Sequence, residues 1–168
     1  MKKLFNLIVI VGLIFVLALF SIYIKYPKKY SEEINKYCKI YGVNTSLVYG
    51  VVYAESSFGR DKVSTKGATG LMQIMPKTAE FIASSLGVKE YDLKSPADNI
   101  NFGVWYLKYL FKKFKDEKLV IYAYNAGEGV VLEWLKVGDL SNFPYKETRN
   151  YYKKVTKAKK IYAKLYKI

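Results

Sequence analysis

Glu55 stands where a carboxylate is expensive to keep charged. Val48, Val51, Val52 and Glu55 follow one another at steps that place them on one face of a helix. A carboxyl closing an apolar stripe loses solvation when it ionises. Its pKa therefore rises toward the range in which a general acid works near neutral pH. The same spacing also fits a side chain one turn from a helix end that rotates into water, and periodicity alone weights the two readings evenly. Other chemistries are closed to this chain. It has no histidine, which removes Ser-His-Asp and Cys-His nucleophile pairs and any His-ligated zinc. Cys38 is the single cysteine, so neither an intrachain disulfide nor a cysteine metal cluster can form. No cofactor or metal is expected. Catalysis falls to carboxylates, hydroxyls, amides, lysines and backbone groups.

The elements that must position Glu55 read as helices throughout. Asn44, Thr45 and Ser46 offer caps for the helix that carries it to about Ser57. Before it, Tyr30, Ile34, Tyr37, Cys38 and Tyr41 recur at helical spacing, and Gly42 ends that helix. Ser57 to Gly70 is polar and glycine-containing, a loop. Pro76 opens a helix that Gly87 closes. Ser95-Pro96 opens a long one with Ile100, Gly103, Leu107, Leu110, Phe111 and Phe114 facing inward. Helices around Leu119–Ala126 and Glu128–Val137 flank Asn125-Ala126-Gly127, and a last helix runs from about Glu147, its candidate cap, to the C-terminus. No alternating stretch of strand length, internal repeat or low-complexity segment occurs. The fold class is all-α.

Leu4 to Ile24 is apolar except for Asn6, Gly12, Ser21 and Tyr23. Its length matches a bilayer core of roughly 30 Å. A cleavable signal has a shorter apolar region and a small-x-small exit, and Phe20-Ser21-Ile22-Tyr23-Ile24-Lys25 offers none. Residues 1–28 thus read as an uncleaved membrane anchor, with a signal peptide as the rival, and residues 29–168 as one domain. Lysines flank both ends of the apolar run, so the positive-inside rule does not orient it. The net charge is +14. Of the 28 basic residues only Arg60 and Arg149 are arginine, and base readout favours arginine. Diffuse lysine suits an anionic matrix better than nucleic acid, and no nucleic-acid partner is expected.

Four blocks occur in order. They are Glu55-Ser56-Ser57-Phe58 with Ser64 and Gly67-Ala68; Gly70-Leu71-Met72-Gln73-Ile74-Met75-Pro76 with Thr78-Ala79; Ala123-Tyr124-Asn125-Ala126-Gly127 with Trp134; and Glu147-Thr148-Arg149-Asn150-Tyr151 with Val155. Together they resemble the soluble lytic transglycosylase family, related in scaffold to goose-type lysozyme, across roughly Tyr41 to Val155. The resemblance implies a lysozyme-like helical domain, here preceded by the one transmembrane helix read above, outside the cytoplasm and acting on peptidoglycan glycan strands; it names no protein partner. It implies that Glu55 protonates the glycosidic oxygen between N-acetylmuramic acid and N-acetylglucosamine, then deprotonates the muramoyl 6-hydroxyl to give a 1,6-anhydro product. Ser64 matches a serine near the substrate's N-acetyl group, and Met72 and Gln73 match groove-lining residues. Tyr124 and Asn125 match substrate contacts, and Tyr151 a tyrosine close to the catalytic carboxylate. Arg60 and Lys62 depart from the pattern, adding charge without touching the chemistry.

Between Glu55 and Glu80 the one other acid is Asp61. Two-carboxylate glycosidases need a second acid across the scissile bond, and goose-type lysozymes carry aspartates where Ser64 to Lys77 has none. A lone acid/base suits substrate-assisted chemistry, although Asp61, Asp98 or Glu147 could approach in three dimensions. Blander roles compete for several residues. Gly67, Gly70 and Gly127 serve as turn formers in any case. Met75 is assigned to the core and Met72 to the groove, Trp134 to the core, and the lysine-rich stretch from Lys153 to Lys167 to a solvated helix face. Gln73 needs either a ligand or an internal hydrogen bond. A non-catalytic glycan binder, a hydrolytic muramidase and a nucleic-acid binder are the rival functions.

Overall fold

The computed structural model describes residues 2–137 and 143–168, and among these residues it contains eight α-helices and no strand. They are α1 (Lys2–Lys25), α2 (Ser31–Tyr41), α3 (Thr45–Glu55), α4 (Pro76–Leu86), α5 (Pro96–Phe114), α6 (Glu117–Ala126), α7 (Glu128–Val137) and α8 (Lys146–Tyr166). α1 is apolar along nearly its whole length and buries none of its side chains. Its length and composition suffice to cross a membrane.

The core is built around α3. Every residue from Ser46 to Val52 is buried, and so is Ala54. The helix is therefore enclosed on all sides rather than along the one stripe that the valines suggest. Asn44 starts it: its Oδ1 accepts the Leu47 amide at 3.0 Å and the Ser46 hydroxyl at 2.6 Å. α8 lies across α3 at Gly50, where a Cβ would come 2.8 Å from the Val155 carbonyl and 3.2 Å from the Lys159 amide. Only glycine lets the two backbones approach so closely. α2 packs on α5, α5 on α4 and α6, and α6 on α7 and α8. Trp134 is buried against Tyr122 and Phe143, as expected of a core residue. Phe111 and Phe114 are only half-buried.

One core group is badly placed. The Tyr49 hydroxyl is buried with no hydrogen-bond partner among the described residues, beneath Tyr162 at a ring separation of 4.8 Å. Burying an unpaired hydroxyl is unfavourable by ~1–3 kcal/mol. Tyr49→Phe should consequently raise the urea midpoint, corresponding to about 1 kcal/mol. A destabilised Tyr49→Phe would show that the hydroxyl has a partner.

Three expectations need correction. The segment before Lys29 is not separate from the core: Tyr26 packs into it, its ring stacked on Tyr53 at 4.7 Å. Glu147 does not cap α8. Tyr145 occupies the cap position without a side-chain bond, and Glu147 lies exposed in the first turn, where its charge suits the helix dipole. α6 begins two residues before Leu119, because the Asp116 carboxylate accepts the Leu119 amide at 2.9 Å.

Candidate active site

Glu55 is the last residue of α3, half-buried, with its carboxyl directed at α8. There the Tyr151 hydroxyl donates to Glu55 Oε1 at 2.7 Å. Burial is the dominant influence and pushes the carboxyl up from 4.5 to about 7. The Tyr151 hydrogen bond and the charges of Lys62 and Lys154 pull the other way without cancelling it. Two lysines neutralise the carbonyl end of α3. Lys62 Nζ donates to the Glu55 carbonyl, and Lys154 Nζ donates to that of Ala54 at 2.7 Å. Lys62 was expected to leave the chemistry alone; its charge in fact acts on the carboxyl. No sequence rule flags Lys62 or Lys154, because they reach α3 from seven and a hundred residues away.

The loop after α3 is held by backbone and amide bonds. Ser64 Oγ accepts the Ala68 amide at 2.9 Å and its own amide donates to the Ala68 carbonyl, which leaves the hydroxyl proton free to donate elsewhere. Gln73 has φ 48° and spends its side-chain NH2 inside the loop, on the carbonyls of Lys62 (3.0 Å) and Gly70 (2.8 Å). The internal hydrogen bond is thus the partner that the sequence demanded. The Ser56 hydroxyl donates to the Leu71 carbonyl at 2.8 Å, which ties the loop to the end of α3.

The two methionines exchange places. Met72 is fully buried, its side chain filling the space left by Gly103 on α5, so it cannot line a groove. Met75, assigned to the core, is 40% exposed. The reason is the positive φ at Gln73: the chain turns there, and helical or strand spacing no longer predicts which side chain faces inward. Met72 still joins the site through its backbone, since the Tyr124 hydroxyl donates to its carbonyl at 2.9 Å. Burial and the Glu55 charge hold the hydroxyls of Tyr124 and Tyr151 well above the ordinary tyrosine range, so both remain donors.

Asn125, exposed at the end of α6, lines a cavity of about 460 Å³ together with Lys66, Tyr145 and Glu147. The structure thus joins Glu55 directly to Tyr151, and Tyr124 to the loop of Ser64 and Gln73, while Asn125 stands on an adjoining wall. Of the three other acids named above, Glu147 stands exposed on this cavity wall and the other two are engaged elsewhere. Asp61 is exposed beside Arg60 at 3.4 Å, and Asp98 accepts the Asp92 amide at 3.0 Å. Among the described residues, no other carboxylate is among the groups that move the Glu55 carboxyl. Asn99 is the largest omission of the sequence reading. Buried on α5, it accepts the Met72 amide at 2.7 Å and donates to the carbonyls of Thr69 (2.9 Å) and Leu93 (2.8 Å). A readable signal existed: Asn99 lies one turn before Gly103, on an inward face.

The Tyr151 bond favours the ionised carboxylate, so removing it should raise the Glu55 pKa further. In Tyr151→Phe the alkaline limb of the kcat/KM profile should move up by about one pH unit, as expected for losing a hydrogen bond to a charged acceptor. A limb that stays put or moves toward acid would contradict the 2.7 Å contact.

The Glu55 carboxyl thus sits at the end of the most buried helix of a small helical domain, and comparison with known proteins gives the family. The Transglycosylase SLT domain matches residues 32–142. The chain belongs to this family. It is 32% identical over 144 residues to the soluble lytic murein transglycosylase of Salmonella typhimurium, covering 78% of this chain and 22% of that protein. It is 33% identical over 167 residues to the membrane-bound lytic murein transglycosylase C of Haemophilus ducreyi, covering 80% and 46%. The crystal structure of the 70 kDa soluble lytic transglycosylase of Escherichia coli superposes with a TM-score of 0.79 at 30% identity, over 86% of this chain and 25% of that one. The chain therefore spans less than half the length of these relatives.

Proposed function

We propose that the protein is a peptidoglycan lytic transglycosylase that breaks the β-1,4 bond between N-acetylmuramic acid and N-acetylglucosamine without water, serving cell-wall remodelling. The observation that carries this reading is the single Glu55 carboxyl, poised at about 7 by burial and bonded to Tyr151. At neutral pH a carboxyl of that pKa is protonated often enough to give its proton to the glycosidic oxygen, and as a carboxylate it is basic enough to take one back. In the first step the C1–O bond breaks as Glu55 protonates the departing oxygen. In the second, the carboxylate removes the proton of the muramoyl 6-hydroxyl, whose oxygen closes on C1. The substrate's acetamido group supports the positive charge between the steps, which removes the need for a second carboxylate. Ser64, with its free hydroxyl proton, and Tyr124, Asn125, Tyr151 and the Gln73 carbonyl oxygen are the polar groups we assign to the sugar. α1 anchors the domain on the outer face of the bacterial membrane; secretion after cleavage is the alternative. Incubation with purified sacculi should release muropeptides lighter by one water than muramidase products, read by mass spectrometry. Reducing-end products would make the protein a hydrolytic muramidase, and no release at all a glycan-binding module.

A further inference from the structure

α8 carries a charge pattern that catalysis does not use. Lys153, Lys157, Lys160 and Lys164 recur at steps of four, three and four residues, which makes one stripe on the face opposite the buried Tyr151, Val155, Ala158 and Tyr162. Beyond Glu147 the helix contains no acid. None of the four lysines has an ion-pair partner among the described residues, whereas Lys159, on another face, pairs with Glu117 at 2.6 Å.

The stripe ends at the membrane helix. Tyr162 and Tyr166 donate to the carbonyls of Pro27 and Tyr26 at 3.1 and 2.7 Å, and Tyr166 meets Tyr23 edge-on at 5.8 Å. The segment that follows α1 is thereby fastened to the last turns of α8, and Tyr23 brings the last turn of α1 against it. Between them lies a groove of about 460 Å³, walled by Leu19, Ile22 and Tyr23 on one side and Ile161, Lys164 and Leu165 on the other. Leu19 and Ile22 belong to the apolar run of α1, so the groove opens at the level where a bilayer's acyl chains meet its headgroups. Its walls are apolar and its rim is a lysine continuous with the stripe. That is the complement of an anionic phospholipid: an acyl chain against leucine and isoleucine, a phosphate at the ammonium groups.

We propose that the α8 lysine stripe and the groove it forms with α1 bind anionic phospholipid, which makes α8 a second membrane contact that seats the domain on the bilayer. Because α8 also carries Tyr151 and Lys154, both bonded to the end of α3, this contact would hold Glu55 at a set height above the membrane. A lysine near an anionic bilayer gains about fivefold in local partitioning, so four acting together give a few hundredfold.

The inference rests on the retained anchor of the proposed function but not on its chemistry, and its test needs no activity. The full chain is reconstituted in vesicles of phosphatidylcholine alone or with phosphatidylglycerol, and lysine acetylation rates are read by peptide mass spectrometry. The intact mass in the same samples checks separately that α1 is present. Lys157, Lys160 and Lys164 should react at least about fivefold more slowly with phosphatidylglycerol, a protection lost at high salt, while Lys39 and Lys112 react alike in both. In Lys160→Gln/Lys164→Gln the protection of Lys157 should shrink. Equal rates in the two bilayers would overturn the proposal. So would equal protection in phosphatidylcholine vesicles on adding soluble polyglycerol phosphate, which would assign the stripe to an anionic polymer.

Discussion

Replacing Glu55 by glutamine is expected to abolish release of muropeptides and, at the same time, to make the protein more stable at pH 8. The loss follows from the amide's inability to transfer a proton, and removal of a general acid lowers rates by ~10²–10⁴-fold. The gain in stability follows from linkage. The carboxyl titrates at about 7 in the folded protein and near its ordinary 4.5 when unfolded. Between those values the folded state holds a proton that the unfolded state has released. The stability associated with the neutral carboxyl is complete below pH 4.5 and is lost as pH rises to 7, by about 3 kcal/mol in all. Glutamine stays neutral at every pH. Urea unfolding of Glu55→Gln should therefore match the parent at pH 4.5 and exceed it progressively up to pH 7, with no further gain above. A variant no more stable than the parent at pH 8 would mean that the carboxyl is well solvated, and the general-acid assignment would fall with it.

How much of this was legible beforehand depends on where each interaction reaches. The helices were readable because their signals are local: Asn44 and Ser95 cap from within three residues, and Gly42 and Gly87 stop α2 and α4 with positive φ, whereas the equally local Asp116 cap was missed. Glu55 was readable as a carboxyl at odds with its apolar surroundings, but its partners were not. The Tyr151 bond spans 96 residues and the Lys154 bond 100, distances over which composition carries no register. The Met72/Met75 exchange shows a different limit. Periodicity assigns faces only while the backbone keeps one conformation, and the turn at Gly70 and Gln73 ends that. The close approach of α8 to α3 at Gly50 was hidden for a third reason: a glycine inside a helix reads as a weak point until its neighbour is known.

The severest single change expected outside Glu55 is Gly70→Ala, one methyl group in the loop that carries Ser64 and Gln73. Gly70 has φ 83°, a conformation that disfavours a side chain by ~1–2 kcal/mol. A Cβ there would lie 2.2 Å from Asn99 Nδ2 and 2.3 Å from the Leu93 carbonyl. Neither atom can retreat without breaking something, because Asn99 joins the Met72 amide to the carbonyls of Thr69 and Leu93. Displacing it leaves buried backbone groups unpaired at ~1–3 kcal/mol each. Together these effects reach ~4–11 kcal/mol, against a total stability of ~5–15 kcal/mol for a domain. Thermal melting should show the midpoint falling by about 10 °C or more. Asn99→Ala should also destabilise strongly by losing the same bonds, but it opens the space into which the new methyl would point. The double variant must then be markedly less unstable than the sum of the two single changes, since both act through one contact. Strict additivity in that cycle would mean that Gly70 and Asn99 do not touch, and the account of the loop as a structure pinned from α5 would have to be given up.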